Sequence, residues 1–144
     1  MKVLFCLLIA CAPFLSSAKS FGALDPLLGQ WITDQKNLII EVYLRGSEYK
    51  AKIVWVSDTD PDSRLDDKNP DPALRTRKVV GMDVLSGLTY NSEEGCWENG
   101  HIYDGTSGKT WSASARVEDD ETLIVRGFWG FEIFGKTLRF NRYK

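Results

Sequence analysis

The sequence has few of the residues that build disulfide frameworks and metal centres. It contains three cysteines and one histidine. Cys6 and Cys11 lie in an apolar N-terminal stretch that we expect to be removed, which leaves Cys96 as the single cysteine and excludes an intramolecular disulfide. A zinc site needs about four ligands, and Cys96 with His101 cannot supply them. We therefore predict no metal and no cofactor.

Basic residues and long apolar runs are also scarce. The chain has 18 Lys and Arg against 20 Asp and Glu, and this mildly negative balance argues against nucleic-acid binding, which needs a basic face. After the N-terminal stretch, no apolar run reaches the ~20 residues of a transmembrane helix. We expect neither a nucleic-acid partner nor a membrane span.

The N-terminus has the pattern of an export signal. Lys2 precedes an apolar run, Pro13 interrupts it, and Ser16-Ser17-Ala18 supplies small residues at a cleavage site. Cleavage after Ala18 removes residues 1–18 and leaves 126 residues (144 − 18), enough for one domain over residues 19–144. The prediction is an exported protein, periplasmic or secreted.

A second cleavage site is compatible with the same stretch. Leu8-Ile9-Ala10-Cys11 resembles a lipobox, in which case Cys11 would carry a lipid and anchor the protein to a membrane. The short leader and Ser16-Ser17-Ala18 favour ordinary cleavage, and the two alternatives stay open at this point.

Alternation of apolar and polar residues dominates the remaining chain. It predicts a strand that starts at Gly29 and further strands over residues 38–44, 48–56, 79–85, 96–104, 109–117, 121–129 and 136–142. About eight to nine short antiparallel strands with polar turns and little helix are typical of an all-β sandwich or small up-and-down β-barrel.

Residues 57–77 interrupt the alternation with six aspartates and three prolines. Proline does not fit a central strand, so the segment is predicted to be a long surface loop, which in a compact domain is usually functional or disordered. Its Asp-x-Asp spacing matches the start of a calcium loop, but Pro72 and Lys78 stand where glycine and glutamate belong. Aspartates that cap turns explain the pattern better.

Several motifs occur in one order along the chain. They are N-P-D-P-x-L-R-x-R at 69–77, W-x-x-G-x-I-Y-D at 97–104, G-K-x-W at 108–111, L-x-V-R-G at 123–127 and G-x-T at 135–137. Together they resemble the bacterial exported family catalogued as domain of unknown function 2147, from Gly29 to Arg142. Lys78 and Gly105 replace an expected proline, and Trp111 an expected tyrosine. The resemblance implies a secreted β-rich domain whose biochemical role is not established.

A second resemblance concerns the two ends of the predicted sheet. Gly29-x-Trp31 in the first strand and Arg142 in the last resemble the lipocalin-like (calycin) barrels, in which a tryptophan packs under an arginine and closes the barrel base. The resemblance favours a barrel over a sandwich. Arg142 stacked on Trp31 would contribute cation–π energy of ~1–2 kcal/mol if desolvated.

Aromatic side chains are numerous enough to line such a barrel. The expected interior set is Trp31, Tyr43 or Tyr49, Trp55, Trp97, Trp111, Phe128 and Phe140. Eight strands leave room for packed side chains or one small ligand, and we predict a mostly filled interior with a small pocket at one mouth.

The candidate ligand-binding residues combine this mouth with the acidic loop. They are Trp55, Asp67, Asn69, Asp71, Arg75, Arg77, Tyr103, Asp104, Arg126 and Trp129. One of the loop arginines is expected to pair with Asp67 or Asp71, because forked arginine–carboxylate pairs hold loops well. Asp104 and Arg126 are predicted to pair at a barrel end.

Catalytic motifs are scarce. Cys96 and His101 are five positions apart, so on one regular strand they point to opposite faces, and a dyad would need a bulge near Gly100. We predict no catalytic residues and a non-enzymatic protein that binds a small apolar or amphipathic molecule. The alternative is an envelope protein-interaction scaffold that uses the loop with Arg75 and Arg77. The oligomeric state is not determined by the sequence.

Overall fold

The computed structural model describes residues 25–58, 60, 63–130 and 135–144. The predicted signal peptide and the alternative lipidation site at Cys11 lie outside these residues. Within them, no helix is long and apolar enough to cross a membrane.

Eight antiparallel strands form a closed barrel. They are β1 (Gly29–Thr33), β2 (Leu38–Arg45), β3 (Glu48–Val56), β4 (Asp83–Asn91), β5 (Cys96–Asp104), β6 (Lys109–Glu118), β7 (Thr122–Phe128) and β8 (Gly135–Arg142). Each strand pairs with the next along the chain, and β8 pairs with β1. A short 3₁₀ turn lies at Pro72–Leu74. The prediction of a small up-and-down barrel is confirmed.

The strand directions define two ends of the barrel. The base carries the segment Asp25–Leu28 and the turns that follow β2, β4 and β6. The mouth carries the turns that follow β1 and β5, the long β3–β4 connection over residues 57–82, and the connection that leaves β7 at Trp129. Loop 57–77 therefore belongs to the mouth.

Alternating apolar side chains fill the interior of the barrel. Buried inner residues include Trp31, Ile40, Val42, Ala51, Ile53, Leu85, Leu88, Trp97, Ala113, Ala115, Leu123, Val125 and Phe140. Every strand contributes to this single apolar cluster. Burial of these side chains is the main stabilising contribution, at about 1.5–3 kcal/mol for each large aliphatic or aromatic group.

The fourth strand starts later than predicted. β4 begins at Asp83, and the apolar residues before it pack into the mouth end of the core, with Val79 and Met82 about 6% and 5% exposed. Gly81, at φ +96°, turns the chain there, and its N–H donates to the carbonyl of Ile53 at 2.7 Å. The predicted strand over residues 79–85 is therefore right for residues 83–85, while residues 79–82 form a turn that packs into the mouth end of the core.

A β-bulge also changes the expected inner face of β3. Ile39 pairs with Trp55 and Ile40 pairs with Ile53, so Val54 has no partner residue on β2. The extra residue inverts the alternation, which buries Val56 and leaves Trp55 37% exposed on the outside. The prediction that Trp55 lines the interior is wrong.

Two other aromatic side chains of the expected lining lie outside the barrel. Tyr43 donates to the carboxylate of Asp83 at 2.6 Å on the outer face. Phe128 pairs with exposed Ser112 and follows Gly127, an inner position, so strand alternation turns it outward. Trp31, Trp97 and Phe140 are buried as expected, and Tyr49 packs against the core.

The base is closed by one arginine and the N-terminal segment. The Arg142 guanidinium carbon lies 4.0 Å from the centroid of the Trp31 ring. Its nitrogens donate to the carbonyls of Pro26, Leu28 and Asp120 at 2.6, 3.0 and 2.7 Å. These bonds hold the segment Asp25–Leu28 across the opening of the barrel.

The glycine of the G-x-W pattern has a physical role in this closure. Gly29 has a φ of +115°, and a Cβ there would lie 3.3 Å from Nη1 of Arg142. A side chain would be strained and would crowd the guanidinium. The indole of Trp31, two residues on, donates to the carbonyl of Leu27 at 2.9 Å, so both ends of the pattern serve the closure.

We predict that Arg142→Met lowers the free energy of unfolding by about 2–4 kcal/mol, because three carbonyls lose their donor and the cation–π contact is lost. Urea unfolding of the purified protein measures it. Arg139→Met is the matched control on the same strand, since its ion pairs are long (3.9 and 4.0 Å) and exposed, and it should cost less than about 0.5 kcal/mol. Equal effects of both variants would contradict a special role for Arg142.

Candidate functional site

Loop 57–77 is folded against the mouth. Its backbone reaches the β5–β6 hairpin, where the carbonyl oxygen of Lys68 lies so close to Gly108 that a Cβ there would be 1.9 Å from it. Gly108 has a φ of +71°, so glycine is required both by conformation and by space. The loop is therefore fixed to the strand ends.

A buried carboxylate, Asp66, anchors the loop. Asp66 is 0% exposed. Its Oδ2 accepts from Nδ2 of Asn69 at 2.8 Å and from Nη2 of Arg77 at 2.7 Å, and its Oδ1 accepts from the hydroxyl of Tyr103 at 2.6 Å. Three parts of the chain thus meet on one carboxylate, because each donor satisfies a charge that burial would otherwise penalise.

These contacts shift the pKa values of Asp66 and Tyr103. Burial alone would raise the pKa of Asp66, but the hydrogen bonds from Tyr103, Asn69 and Arg77 outweigh it and leave the pKa below its usual value. Burial and the bond to Asp66 raise the pKa of the Tyr103 hydroxyl to about 12. At neutral pH the group is a carboxylate held by neutral and cationic donors.

The loop arginines have different partners from those expected. Arg77 pairs with Asp66 rather than with Asp67 or Asp71. The Arg75 Nε donates to the carbonyl of Asn69 at 2.8 Å. Asp71 caps the 3₁₀ turn by accepting from the N–H of Ala73. The predicted pairing was wrong in its acceptor, since burial selects the carboxylate that the loop turns inward.

Asp66 is the residue that the sequence interpretation missed. It was one of six aspartates in the loop, and composition did not distinguish it from its neighbours. In the structure, the backbone N–H of Asn69, three residues later, donates to the Asp66 carbonyl at 3.1 Å. This turn brings the amide of Asn69 onto the carboxylate.

Asp104 and Arg126 do not form the predicted pair. Register places Asp104 opposite Lys109 and Arg126 opposite Ser114, which are five positions apart on β6, or roughly 16 Å at ~3.3 Å per residue. Asp104 instead caps its own hairpin, accepting from the hydroxyls of Thr106 and Ser107 at 2.6 and 2.7 Å. Arg126 donates to Thr137 at 2.8 Å.

Apolar side chains on the inner face remain exposed at the mouth. Trp111 continues the inner row of Ala113 and Ala115, and its ring lies 5.3 Å from that of Trp129. Trp129 is 58% exposed, and Leu138, which lies opposite buried Val125, is 39% exposed. These three side chains, which we call the mouth cluster, form an apolar surface at the barrel rim, in which Trp129 and Leu138 are exposed and Trp111 is half-buried.

The acidic loop does not assemble a cation site among the residues that the structure describes. No group of three or more His, Cys, Asp or Glu side chains converges there. Asp58 pairs with Arg64 at 3.3 Å, and the hollow beside them is an open surface feature. Asp62 lies outside the described residues.

The bulge that a cysteine–histidine dyad would require is present in β5. Register shifts between Trp97 and Gly100, and Asn99 has a φ of +62°. Cys96 and His101 consequently share the outer face, but they remain about 13–16 Å apart along the strand. That separation is far beyond hydrogen-bond reach, so the two side chains do not form a dyad.

Comparisons with known proteins agree with this architecture. Residues 29–142 match the model of a family described as "Uncharacterized protein conserved in bacteria (DUF2147)", which covers most of the chain. The chain belongs to this family. A comparison with curated proteins gives no match.

The barrel is also similar to a solved structure. Protein HP1028 from the human pathogen Helicobacter pylori, described as belonging to the lipocalin family, superposes with a TM-score of 0.73. The two chains share 23% sequence identity, and the match covers 82% of this chain and 83% of that one. At this identity the likeness shows a shared fold, which is the lipocalin-like barrel that Gly29, Trp31 and Arg142 predicted.

We predict that Arg77→Met lowers the free energy of unfolding by roughly 2–4 kcal/mol near pH 7, because Asp66 stays buried without its cation. The pKa of Asp66 is lowered by folding, so its contribution is complete above about pH 4 and is lost as the pH falls through the folded value. A protonated Asp66 does not need Arg77. The difference between variant and wild type should therefore shrink below about pH 4.

Urea unfolding between about pH 2.5 and 7 measures this difference. Arg75→Met is the control within the same loop, since Arg75 is exposed and donates one bond, and we expect a loss of at most about 1 kcal/mol at every pH. A penalty for Arg77→Met that does not change with pH would show that the Asp66 carboxylate is not the group that Arg77 stabilises.

Proposed function

We propose that the protein is an exported, non-enzymatic binding protein that holds a small apolar or amphipathic molecule at the barrel mouth. The observation that carries the proposal is the exposure of the mouth cluster. Water-exposed apolar side chains that project from an inner barrel face, beside a polar rim, are typical of a ligand contact surface. The lipocalin-like fold supports the same function by analogy.

The shape of the barrel limits how such a ligand could bind. The inner residues below Trp111 are small or buried, with Ala113, Ala115 and Val125 at most 3% exposed. The filled interior therefore favours a ligand that lies across the rim on Trp129 and Leu138 over one enclosed in the centre. We expect a modest affinity for a ligand at the rim, because such a site buries only part of the ligand surface.

The non-enzymatic assignment rests on what the described residues bring together. The titratable groups at the mouth, Asp66 with Tyr103 and Asp104 with its hairpin hydroxyls, are engaged by neighbouring side chains. Their pKa values shift away from neutrality, since that of Asp66 is lowered and that of Tyr103 is raised. A general acid or base works best near the ambient pH, so these groups suit a structural role.

We predict that Trp129→Ala weakens binding of 1-decanol about tenfold, because the largest exposed apolar surface of the mouth is lost. Displacement of the neutral fluorophore N-phenyl-1-naphthylamine measures the affinity. Tyr90→Ala is the matched control, since Tyr90 is 53% exposed and stacks on Trp97 at 4.9 Å near the base, and it should leave the affinity unchanged.

Native mass spectrometry of protein purified from its own cell envelope tests the proposal independently. A retained small molecule that is lost in Trp129→Ala supports binding at the mouth. A bare mass for the wild type, together with no displacement by 1-decanol, would remove the proposed function.

A second candidate is an envelope protein-interaction scaffold that uses loop 57–77. Its support is that the loop is fixed by Asp66 while the charged side chains of Asp67, Asp71 and Arg75 remain exposed. A rigid charged surface loses little entropy on docking. Arg77 is used internally, so the docking face would consist of Asp67, Asp71 and Arg75 without it.

We predict for this candidate that Asp67→Lys abolishes cross-links between the loop and a specific envelope protein in intact cells, because the charge at the docking face is reversed. Glu94→Lys makes the same change in the exposed turn after β4, at the base. Identical cross-linking patterns for wild type and both variants would rule out a docking role for the loop.

A further inference from the structure

Two lysines flank the mouth cluster. Lys109 is the inner-face position next to Trp111 on β6, and its Nζ lies 5.9 Å from the centroid of the Trp111 ring. Lys136 lies opposite Gly127 on β8, one inner position from Leu138. Strand alternation therefore places an ammonium group on each side of the exposed apolar surface.

The carboxylates described at the mouth and on the loop have partners of their own. Asp104, the cross-strand partner of Lys109, accepts from Thr106 and Ser107. Asp66 accepts from Tyr103, Asn69 and Arg77. On the loop, Asp71 caps the 3₁₀ turn and Asp67 pairs at 3.9 Å with Lys68.

Lys109 and Lys136 have no carboxylate partner among the described residues. Within residues 25–58, 60, 63–130 and 135–144, no carboxylate lies within 4.0 Å of either ammonium group. Both side chains are exposed. The mouth thus combines an apolar surface with two exposed cations that no carboxylate of the described residues pairs with.

We infer that the mouth selects amphiphiles with an anionic head group, which Lys109 and Lys136 bind while the alkyl part lies on Trp111, Trp129 and Leu138. This inference rests on the proposed function and specifies its ligand class. An ammonium group recognises a carboxylate or phosphate as a point charge, and the adjacent apolar surface accounts for the tail. A neutral amphiphile would use the apolar surface alone.

The experiment compares two probes of equal chain length, decanoate and 1-decanol, by displacement of N-phenyl-1-naphthylamine from the exported protein. We expect decanoate to bind roughly five- to tenfold more tightly than 1-decanol, as two solvent-exposed ion pairs would allow. Lys109→Gln/Lys136→Gln should remove this preference and leave the affinity for 1-decanol within about twofold. Raising the salt concentration to about 0.5 M should weaken decanoate binding only.

Lys52→Gln/Lys144→Gln is the matched control. It removes the same charge from lysines that pair with Glu41 on the outer face and Glu121 at the base, and it should keep the preference for decanoate. Equal affinity of the wild type for both probes, or an equal loss in both double variants, overturns the lysine assignment and leaves the proposed function standing. If neither probe binds, both the lysine assignment and the proposed function are wrong.

Discussion

The closure of the sheet on itself depends on one arginine. β1 is five residues long and pairs with β8 at three positions, with Trp31 opposite Arg142, so its own ladder supplies few hydrogen bonds. Arg142 compensates by donating to three carbonyls of the flanking segments and by covering the Trp31 ring. Without this closure, β1 and β8 would be open edges and the core would be exposed between them.

At the mouth, the signs of the buried charge and its partners are reversed relative to the base. There, a buried anion rather than a cation collects the donors, and Asp66 joins Asn69, Arg77 and Tyr103. In both arrangements several hydrogen bonds compensate a charge that is removed from water, which is the condition for burying it. The two arrangements differ in extent, because the base segment crosses the whole opening, whereas the loop at the mouth leaves Trp129 and Leu138 exposed. The proposed site rests on this difference between the two ends.

Sequence patterns and structure disagree where the chain departs from regular alternation. The bulge opposite Ile39 turns Trp55 outward. The turn at Gly81 replaces the first part of a predicted strand, which begins only at Asp83. Both changes depend on the register in which neighbouring strands pair. A one-residue shift in register moves side chains to the opposite face of the sheet. The candidate site reflects the same limit, since Tyr103, Asn69 and Arg77 meet on a carboxylate that local sequence did not distinguish.

Alternation in the sequence predicted eight to nine short antiparallel strands, and the resemblance of Gly29, Trp31 and Arg142 to lipocalin-like barrels favoured a barrel over a sandwich. The sequence also determined the chemistry of the base, since Gly29, Trp31 and Arg142 form a pattern at fixed positions of the first and last strands. The tertiary structure was needed to show that Asp66 is the buried aspartate among those described in the loop, which aromatic side chains stay exposed, and that Lys109 and Lys136 lie beside them. Those properties arise between residues far apart in the chain, and they depend on pairing register and packing that no local pattern encodes.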